Sequence, residues 1–358
     1  MSHHNHRTLG RSGLVVSPLA LGTMTFGQPR WGADAAASQA ILGAYLAAGG
    51  TFIDTADVYS GGESERLVGQ FLRESGLRDR VVLATKYGFN AGSSPLESGG
   101  PGNANPLAGG SGTRNLRRAV DASLARLGTD YIDLYWMHVW DGVTPAEEVV
   151  EAMGNLVRQG KILHYGLSDM PAWFAARVAA LAEARGVPAP VAIQVEYSLV
   201  ARGVEEEHVP AAIAGGMAVV PWSPLAGGFL TGKYERDSTD AEGRLAGANP
   251  FGDSKFTERN WDVLDVLRGV AAECGVPPAQ VALAWTLHRP GIGATIVGAR
   301  TPEQLEGGLR SLDVALSAPQ IERLNGASAP APGFTGGLAG PGLRRALFGG
   351  QEVTGWAA

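Results

Sequence analysis

Cysteine is almost absent. Cys274 stands alone, so no internal disulfide can form. Its setting, VLRGVAAECGVPP, reads as the end of an amphipathic helix and makes it a small buried hydrophobe rather than a nucleophile. Lysine is nearly as scarce: Lys86, Lys161, Lys233 and Lys255 are the only ones, and the rest of the 29 basic residues are arginine. A lysine at the end of a strand therefore carries information. No basic block relieves a formal net charge of -6, which argues against nucleic acid or an anionic membrane as partner. No uninterrupted apolar run is long enough to span a bilayer. The opening MSHHNHRTLG has no apolar signal-peptide core, so a cytoplasmic protein is expected. His3, His4 and His6 read as part of a frayed polar end, and no metal site is expected.

Also missing is a G-x-G-x-x-G opening a βαβ unit, which removes the usual signature of a Rossmann cofactor site. GGFLTGKY resembles a phosphate-binding loop but has Tyr234 where Ser or Thr is needed, and it leads into a polar segment. A P-loop is rejected, and Lys233 stays as a candidate phosphate contact.

What is present is an alternation. Eight apolar runs, 19–27, 51–59, 81–88, 131–138, 162–170, 191–199, 218–225 and 295–300, are separated by helical patterns. In TRNLRRAVDASLARLG, Leu116, Val120, Leu124 and Leu127 fall on one face. TPAEEVVEAMGNLVRQG opens with Thr144 before Pro145, has acids in its first turn and ends near Gly160. Eight strands each followed by a helix predict an α/β fold, a (β/α)8 TIM barrel; a doubly wound open sheet is the alternative. RTLGRSGLVVSPLALG predicts a small hairpin under the barrel floor. The chain is expected to be a single domain over 1–358, with the barrel at about 17–326 and a tail at 327–358. Two polar, Gly- and Pro-rich insertions, 89–112 and 235–260, predict long loops.

In such a barrel the chemistry sits where strands end. Asp54 and Tyr59 follow the second run, Lys86 the third and His138 the fourth. Each alone has a bland explanation: a capped carboxylate, a rim aromatic, a solvated strand end, a satisfied core histidine. Together they place a carboxylate, a phenol, an ammonium and an imidazole at one mouth. The ammonium is expected to lower the phenol's pKa, the carboxylate to hold the ammonium, and the imidazole to hydrogen-bond a substrate oxygen. That set suits proton donation to a carbonyl becoming an alcohol.

The stretches LGTMTFG, FIDTADVYSGGESERLVG, ATKYG, SLARLGTDYIDLYWMH, QVEYSL, PWSPLAGGFLTGKY and VGARTPEQL resemble the aldo-keto reductase family over nearly the whole chain. The resemblance implies a (β/α)8 barrel that binds NADPH without a Rossmann fold and reduces aldehydes and ketones. It implies Tyr59 as general acid/base, tuned by Lys86 and Asp54, with His138 orienting the carbonyl and Asp57 structural. For the cofactor it implies Gly22, Thr23, Met24 and Asp54 on one wall. Ser168, Asp169 and Gln194 would lie at the carboxamide, with Trp222 stacked on the nicotinamide. Ser223, Pro224, Leu225, Lys233 and Arg244 would fold over the pyrophosphate. Gly298, Arg300 and Gln304 would lie at the adenosine end, Arg300 near the 2′-phosphate, which favours NADPH over NADH.

Two departures stand out. Asp169 replaces the Asn of many members and, when ionised, can only accept hydrogen bonds. Gly307 and Gly308 replace Glu-Asn near the adenine, so weaker cofactor binding than is typical is expected. Trp31, Phe89 and Trp140 are candidate lining for the substrate pocket. Besides a simple carbonyl reductase, two other readings stay open: a keto-sugar reductase of deoxysugar or glycoside metabolism, and an NADPH-binding regulatory subunit or scaffold. The intact His138 weighs against the regulatory reading.

Overall fold

The computed structural model describes residues 5–28, 32–90, 105–236, 245, 255–331, 333 and 341–353. Trp31, Arg244, His3, His4 and much of both long insertions lie outside the described residues.

A two-stranded antiparallel hairpin, β1 (Arg7–Thr8) and β2 (Val15–Val16), comes first. Eight parallel strands follow: β3 (Leu19–Gly22), β4 (Phe52–Asp54), β5 (Val82–Tyr87), β6 (Ile132–Met137), β7 (Ile162–Ser168), β8 (Ala192–Glu196), β9 (Ala218–Trp222) and β10 (Thr295–Val297). Their order in the sheet is β10-β3-β4-β5-β6-β7-β8-β9, each strand beside its chain neighbour and β10 returning to β3. That is the order of a (β/α)8 barrel, not of a doubly wound sheet.

The seam closes just before β10. Val219 N donates to Gly291 O at 2.8 Å, and Gly293 N donates to Val219 O at 3.0 Å. Gly293 allows that approach: a Cβ there would stand 2.7 Å from Ala218 Cβ and 2.8 Å from Leu9 Cδ1.

Alternation along each strand sorts the two cores. Ala20, Phe52, Val82, Ala84, Leu134, Trp136, Ala192, Ala218, Val220, Ala294 and Ile296 form the inner one. Leu9, Leu14 and Val16 of the hairpin segment join it from below. The other parity, including Leu21, Ile53, Leu83, Tyr135, Leu167 and Ile193, packs against the surrounding helices. Those helices are α1 (Ala35–Ala47), α2 (Glu63–Ser75), α3 (Thr113–Leu127), α4 (Ala146–Arg158), α5 (Ala172–Arg185), α6 (His208–Ala214), α7 (Glu258–Cys274), α8 (Pro278–Leu287), α9 (Pro302–Leu309) and α10 (Ala318–Ala327).

The strands are shorter than the apolar runs. The run 51–59 yields only Phe52–Asp54, after which the chain curls over the mouth into a tight turn, Tyr59–Gly62. Ser60, Gly61 and Gly62 all have left-handed backbone there. Tyr59 thus belongs to a turn ahead of α2 and not to the strand itself. Cys274 ends α7 half-buried rather than fully buried, with Gln320 Nε2 3.5 Å from its sulfur.

Candidate active site

The alternation that fills the barrel also builds its mouth. Two residues beyond Phe52 is Asp54; beyond Ala84, Lys86; beyond Trp136, His138; beyond Ala192, Gln194; beyond Val220, Trp222; beyond Ile296, Gly298. Gly166, on which any Cβ would meet the Trp136 ring at 2.3 Å, precedes Ser168 in the same way. Each is the top member of an inward-facing series, so one parity rule aims the polar side chains at a common space.

Lys86 is fully buried and Asp54 nearly so. Lys86 Nζ bonds to Asp54 Oδ2, to Thr55 O at 2.9 Å and to the Tyr59 hydroxyl at 3.2 Å. Gln194 Nε2 donates to the other Asp54 oxygen at 3.0 Å. The ammonium thus spends its three protons on a carboxylate, a carbonyl and a phenol, and cannot swing away. Burial opposes its charge, but Asp54 and Tyr59 outweigh that and hold Lys86 above its ordinary value. A buried pair of this kind is costly to break, about 3–5 kcal/mol for loss of one partner.

Tyr59 differs from the sequence expectation. Burial raises it above the usual phenol range, and the pull of Lys86 in the other direction does not overcome this. The phenol is therefore a neutral proton holder at neutral pH. Lys86 is placed to stabilise a phenolate if one forms. His138 lies edge-on to Tyr59, ring centroids 5.9 Å apart, and edge-on to Phe89 at 4.9 Å. Burial, and then Lys86, push the imidazole well below its ordinary value, so it is neutral and carries one N–H. Its Nδ1 is buried without a hydrogen-bond partner.

A groove of about 840 Å³ runs from these groups across the barrel mouth. Gly22, Met24, Asp54, Tyr59, Phe89 and His138 line its inner part. Asp169, Gln194, Trp222, Ser223, Pro224 and Leu225 form one wall, and Lys233, Gly298, Arg300 and Gln304 the outer part. Four expected residues do not line it. Lys86 sits beneath Tyr59. Ser168 is buried, with its hydroxyl 3.2 Å from Asp169 Oδ2. Thr23 turns inward to Asp54 O and the Ser64 hydroxyl. Trp140 stacks on Phe174 at 4.6 Å, meets Trp173 edge-on and donates its indole N–H to Thr144 O. The aromatic packing of α5 holds it away from the groove.

The outer wall also includes Pro277, Gln280 and Leu283, which the sequence did not flag. They sit at the start of α8, a helix whose internal pattern says nothing about the groove. Gly307 and Gly308 lie opposite, and a Cβ on Gly307 would meet nothing within 4 Å. Gln304 Oε1 accepts from Arg300 N at 3.0 Å, which fixes the backbone ahead of α9. The Arg300 side chain itself is exposed and makes no ion pair among the described residues. On the Trp222 side the backbone is left-handed at Asp169, Ser223 and Ala226, which curls that wall over the groove.

Asp57 is the remaining acid of this region. Its Oδ1 is buried without a partner, while its N–H donates to Lys86 O at 3.1 Å. Burial, with Glu65 adding to it and Arg126, Arg118 and Lys86 opposing, raises it to about 8.

Fold and site together describe a barrel with a buried lysine–carboxylate pair, a neutral phenol and a neutral imidazole at the C-terminal ends of its strands. The model of the aldo/keto reductase family matches residues 18–329. The chain is 36% identical over 323 residues to norsolorinic acid reductase of Emericella nidulans, covering 88% of this chain and 79% of that protein. It is 34% identical over 340 residues to aryl-alcohol dehydrogenase [NADP(+)] of Phanerodontia chrysosporium, covering 89% and 85%. It is also 34% identical over 322 residues to a probable voltage-gated potassium channel subunit beta of Oryza sativa subsp. japonica, covering 88% and 94%. The chain belongs to the aldo/keto reductase family, and it is an oxidoreductase. No helix among the described residues is long and apolar enough to cross a membrane, and no group of metal-binding side chains occurs among them.

Proposed function

We propose that this protein reduces an aldehyde or ketone to an alcohol with NADPH, Tyr59 supplying the proton. The observation that carries the reading is the Lys86 ammonium fixed between Asp54 and the Tyr59 hydroxyl at the mouth of an open groove. The donor set of the groove fits a dinucleotide: an aromatic wall at Trp222, amide and carboxyl groups at Gln194 and Asp169, and the cations Lys233 and Arg300 farther out. Trp222 and Gln194 would hold the nicotinamide end, Lys233 the pyrophosphate and Arg300 a 2′-phosphate. When bound, the cofactor supplies a hydride.

The protein's own groups do the rest. Neutral His138 donates a hydrogen bond to the carbonyl oxygen and polarises it. Tyr59 keeps its proton until negative charge develops on that oxygen, then transfers it. Lys86 stabilises the phenolate left behind, and Asp54 keeps Lys86 charged and in place.

For the substrate we favour an aromatic aldehyde or a polycyclic ketone. Phe89 and Val139 make the groove apolar next to His138. The names norsolorinic acid reductase and aryl-alcohol dehydrogenase among the relatives point the same way. A keto-sugar would need polar partners at that position.

The first test is titration with NADPH and then NADH by tryptophan fluorescence, followed by turnover on aromatic carbonyls. Clear NADPH preference with NADPH oxidation supports the reading. Binding without turnover on any carbonyl favours the regulatory alternative that similarity to a channel beta subunit keeps in view. Binding of neither cofactor overturns the proposal.

A further inference from the structure

Of the two acids that line the groove, one is paired with a cation and the other is not. Lys86 is matched by Asp54. Glu196, at the end of β8, is matched by Lys255 at 3.0 Å. Asp169, just past the end of β7, has only neutral donors: the Trp222 indole N–H at 2.9 Å on Oδ1 and the Ser168 hydroxyl at 3.2 Å on Oδ2. It makes no ion pair among the described residues. Its backbone is left-handed, with φ at 47°, and its N–H donates to Gln194 O. Both of its hydrogen-bond partners are donors, so they orient a carboxylate. Asp169 is exposed, and its carboxylate looks into the groove.

Trp222 and Asp169 thus present a flat aromatic surface with a carboxylate anchored to its edge. Such a pairing discriminates by charge. The oxidised nicotinamide ring is a cation and the reduced ring is neutral, while the rest of the dinucleotide is the same in both.

We infer that Asp169 sets which redox form of the cofactor the groove prefers: its unpaired carboxylate favours the oxidised, cationic nicotinamide over the reduced, neutral one. The inference rests on the cofactor reading above and goes beyond it, since that reading concerns what binds and not which form binds better. An Asn at this position keeps the shape and tolerates the left-handed backbone but removes the charge.

The preference is also pH-dependent. Burial raises Asp169 to about 6, against the hydrogen bonds from Trp222 and Ser168 and the pull of Lys86, with Glu196 raising it further. The groups facing it are Lys86 from β5, Tyr59 from the turn after β4, Glu196 from β8 and Trp222 from β9; Lys86 and Tyr59 keep their protons throughout the range of interest. Protonation of Asp169 below about pH 6 removes its charge and with it the discrimination. The cofactor's 2′-phosphate titrates in the same range, but it does so in both redox forms and cancels in their ratio.

The test measures equilibrium Kd for NADP+ and NADPH by fluorescence, for wild type and Asp169→Asn, at pH 8 and pH 5.5. The expected result is a ratio Kd(NADPH)/Kd(NADP+) about tenfold higher in wild type than in Asp169→Asn at pH 8, the size of one nearby charge at intermediate dielectric. The gap between the two proteins should narrow to about threefold at pH 5.5. The wild-type ratio measured against pH is a second readout that needs no variant. Equal ratios in both proteins at pH 8, or a wild-type ratio flat with pH, overturn the inference while leaving the cofactor reading intact. Binding of neither form by wild type overturns both.

Discussion

Tyr59, Lys86 and Asp57 show three ways for a buried titratable group to exist. Lys86 is charged because it is fully partnered. Tyr59 is neutral because burial outweighs the one cation beside it. Tyr59→Phe is therefore expected to lower kcat by about a thousandfold with the Kd for NADPH unchanged, since only the proton is lost; steady-state kinetics beside a fluorescence titration check it. Lys86→Met removes the phenolate's partner and leaves Asp54 buried without its cation. It should cost stability as well as turnover, about 3 kcal/mol in a urea titration. Asp57 has neither full partnering nor exposure. An acid raised to about 8 in the folded state adds stability at low pH and loses it as pH rises through that value. Wild type should accordingly lose stability between pH 5 and 8, and Asp57→Asn should lose less. The difference should be near zero below about pH 4 and on the order of 5 kcal/mol at pH 8. Parallel pH courses for the two proteins would refute it.

Elements decide how these groups meet. β5 carries Val82, Ala84 and Lys86 on one face; the register sets Asp54 of β4 beside Ala84 and Trp136 of β6 beside Lys86, with His138 just past the end of β6, so the polar ends of the three strands step around the mouth. The seam between β9 and β10 is the tightest place in that frame. Gly293→Ala is expected to destabilise by about 1–3 kcal/mol, because Ala218 and Leu9 are backed by the inner core and cannot give way. In α9 the reverse holds: Gly307 has open space around its Cβ position. Gly307→Ala should stabilise by about 0.5–1 kcal/mol through helix propensity. Thermal unfolding of the two variants separates the cases by sign.

At the scale of the whole molecule the groove joins elements far apart in the chain, from Gly22 through Trp222 to Arg300. A ligand lying along it ties β3, β9 and the start of α9 together. NADPH at a hundredfold over its Kd should raise the unfolding free energy by about 2.7 kcal/mol. Arg300→Ala should reduce that gain sharply for NADPH and little for NADH at the same concentration. Equal reductions for both would remove Arg300 from the 2′-phosphate.

Much of this was legible in the sequence because it depends on local periodicity. Eight apolar runs separated by helical stretches dictate a βα alternation, and residues two apart in a strand share a face. Asp54, Lys86 and His138 could therefore be picked out along their runs, whereas Gln194 and Trp222 were implied by the family resemblance. The motif from Phe52 to Gly69 also carried the family. Other features are products of packing. Whether Tyr59 is acidified or held neutral depends on how much protein covers it, a sum over neighbours that no single stretch contains. Trp140 reads as a mouth aromatic until Trp173 and Phe174, more than thirty residues away in the chain, take its ring. Pro277, Gln280 and Leu283 enter the groove only because α8 packs beside it. The sequence by itself determined the alternation, the inward parity and hence the identity of the groups at the mouth, because those follow from backbone geometry repeated along the chain. Only the tertiary structure decided their protonation, which aromatics face the groove and which carboxylate there lacks a cation, because burial and pairing are properties of neighbours brought together by folding.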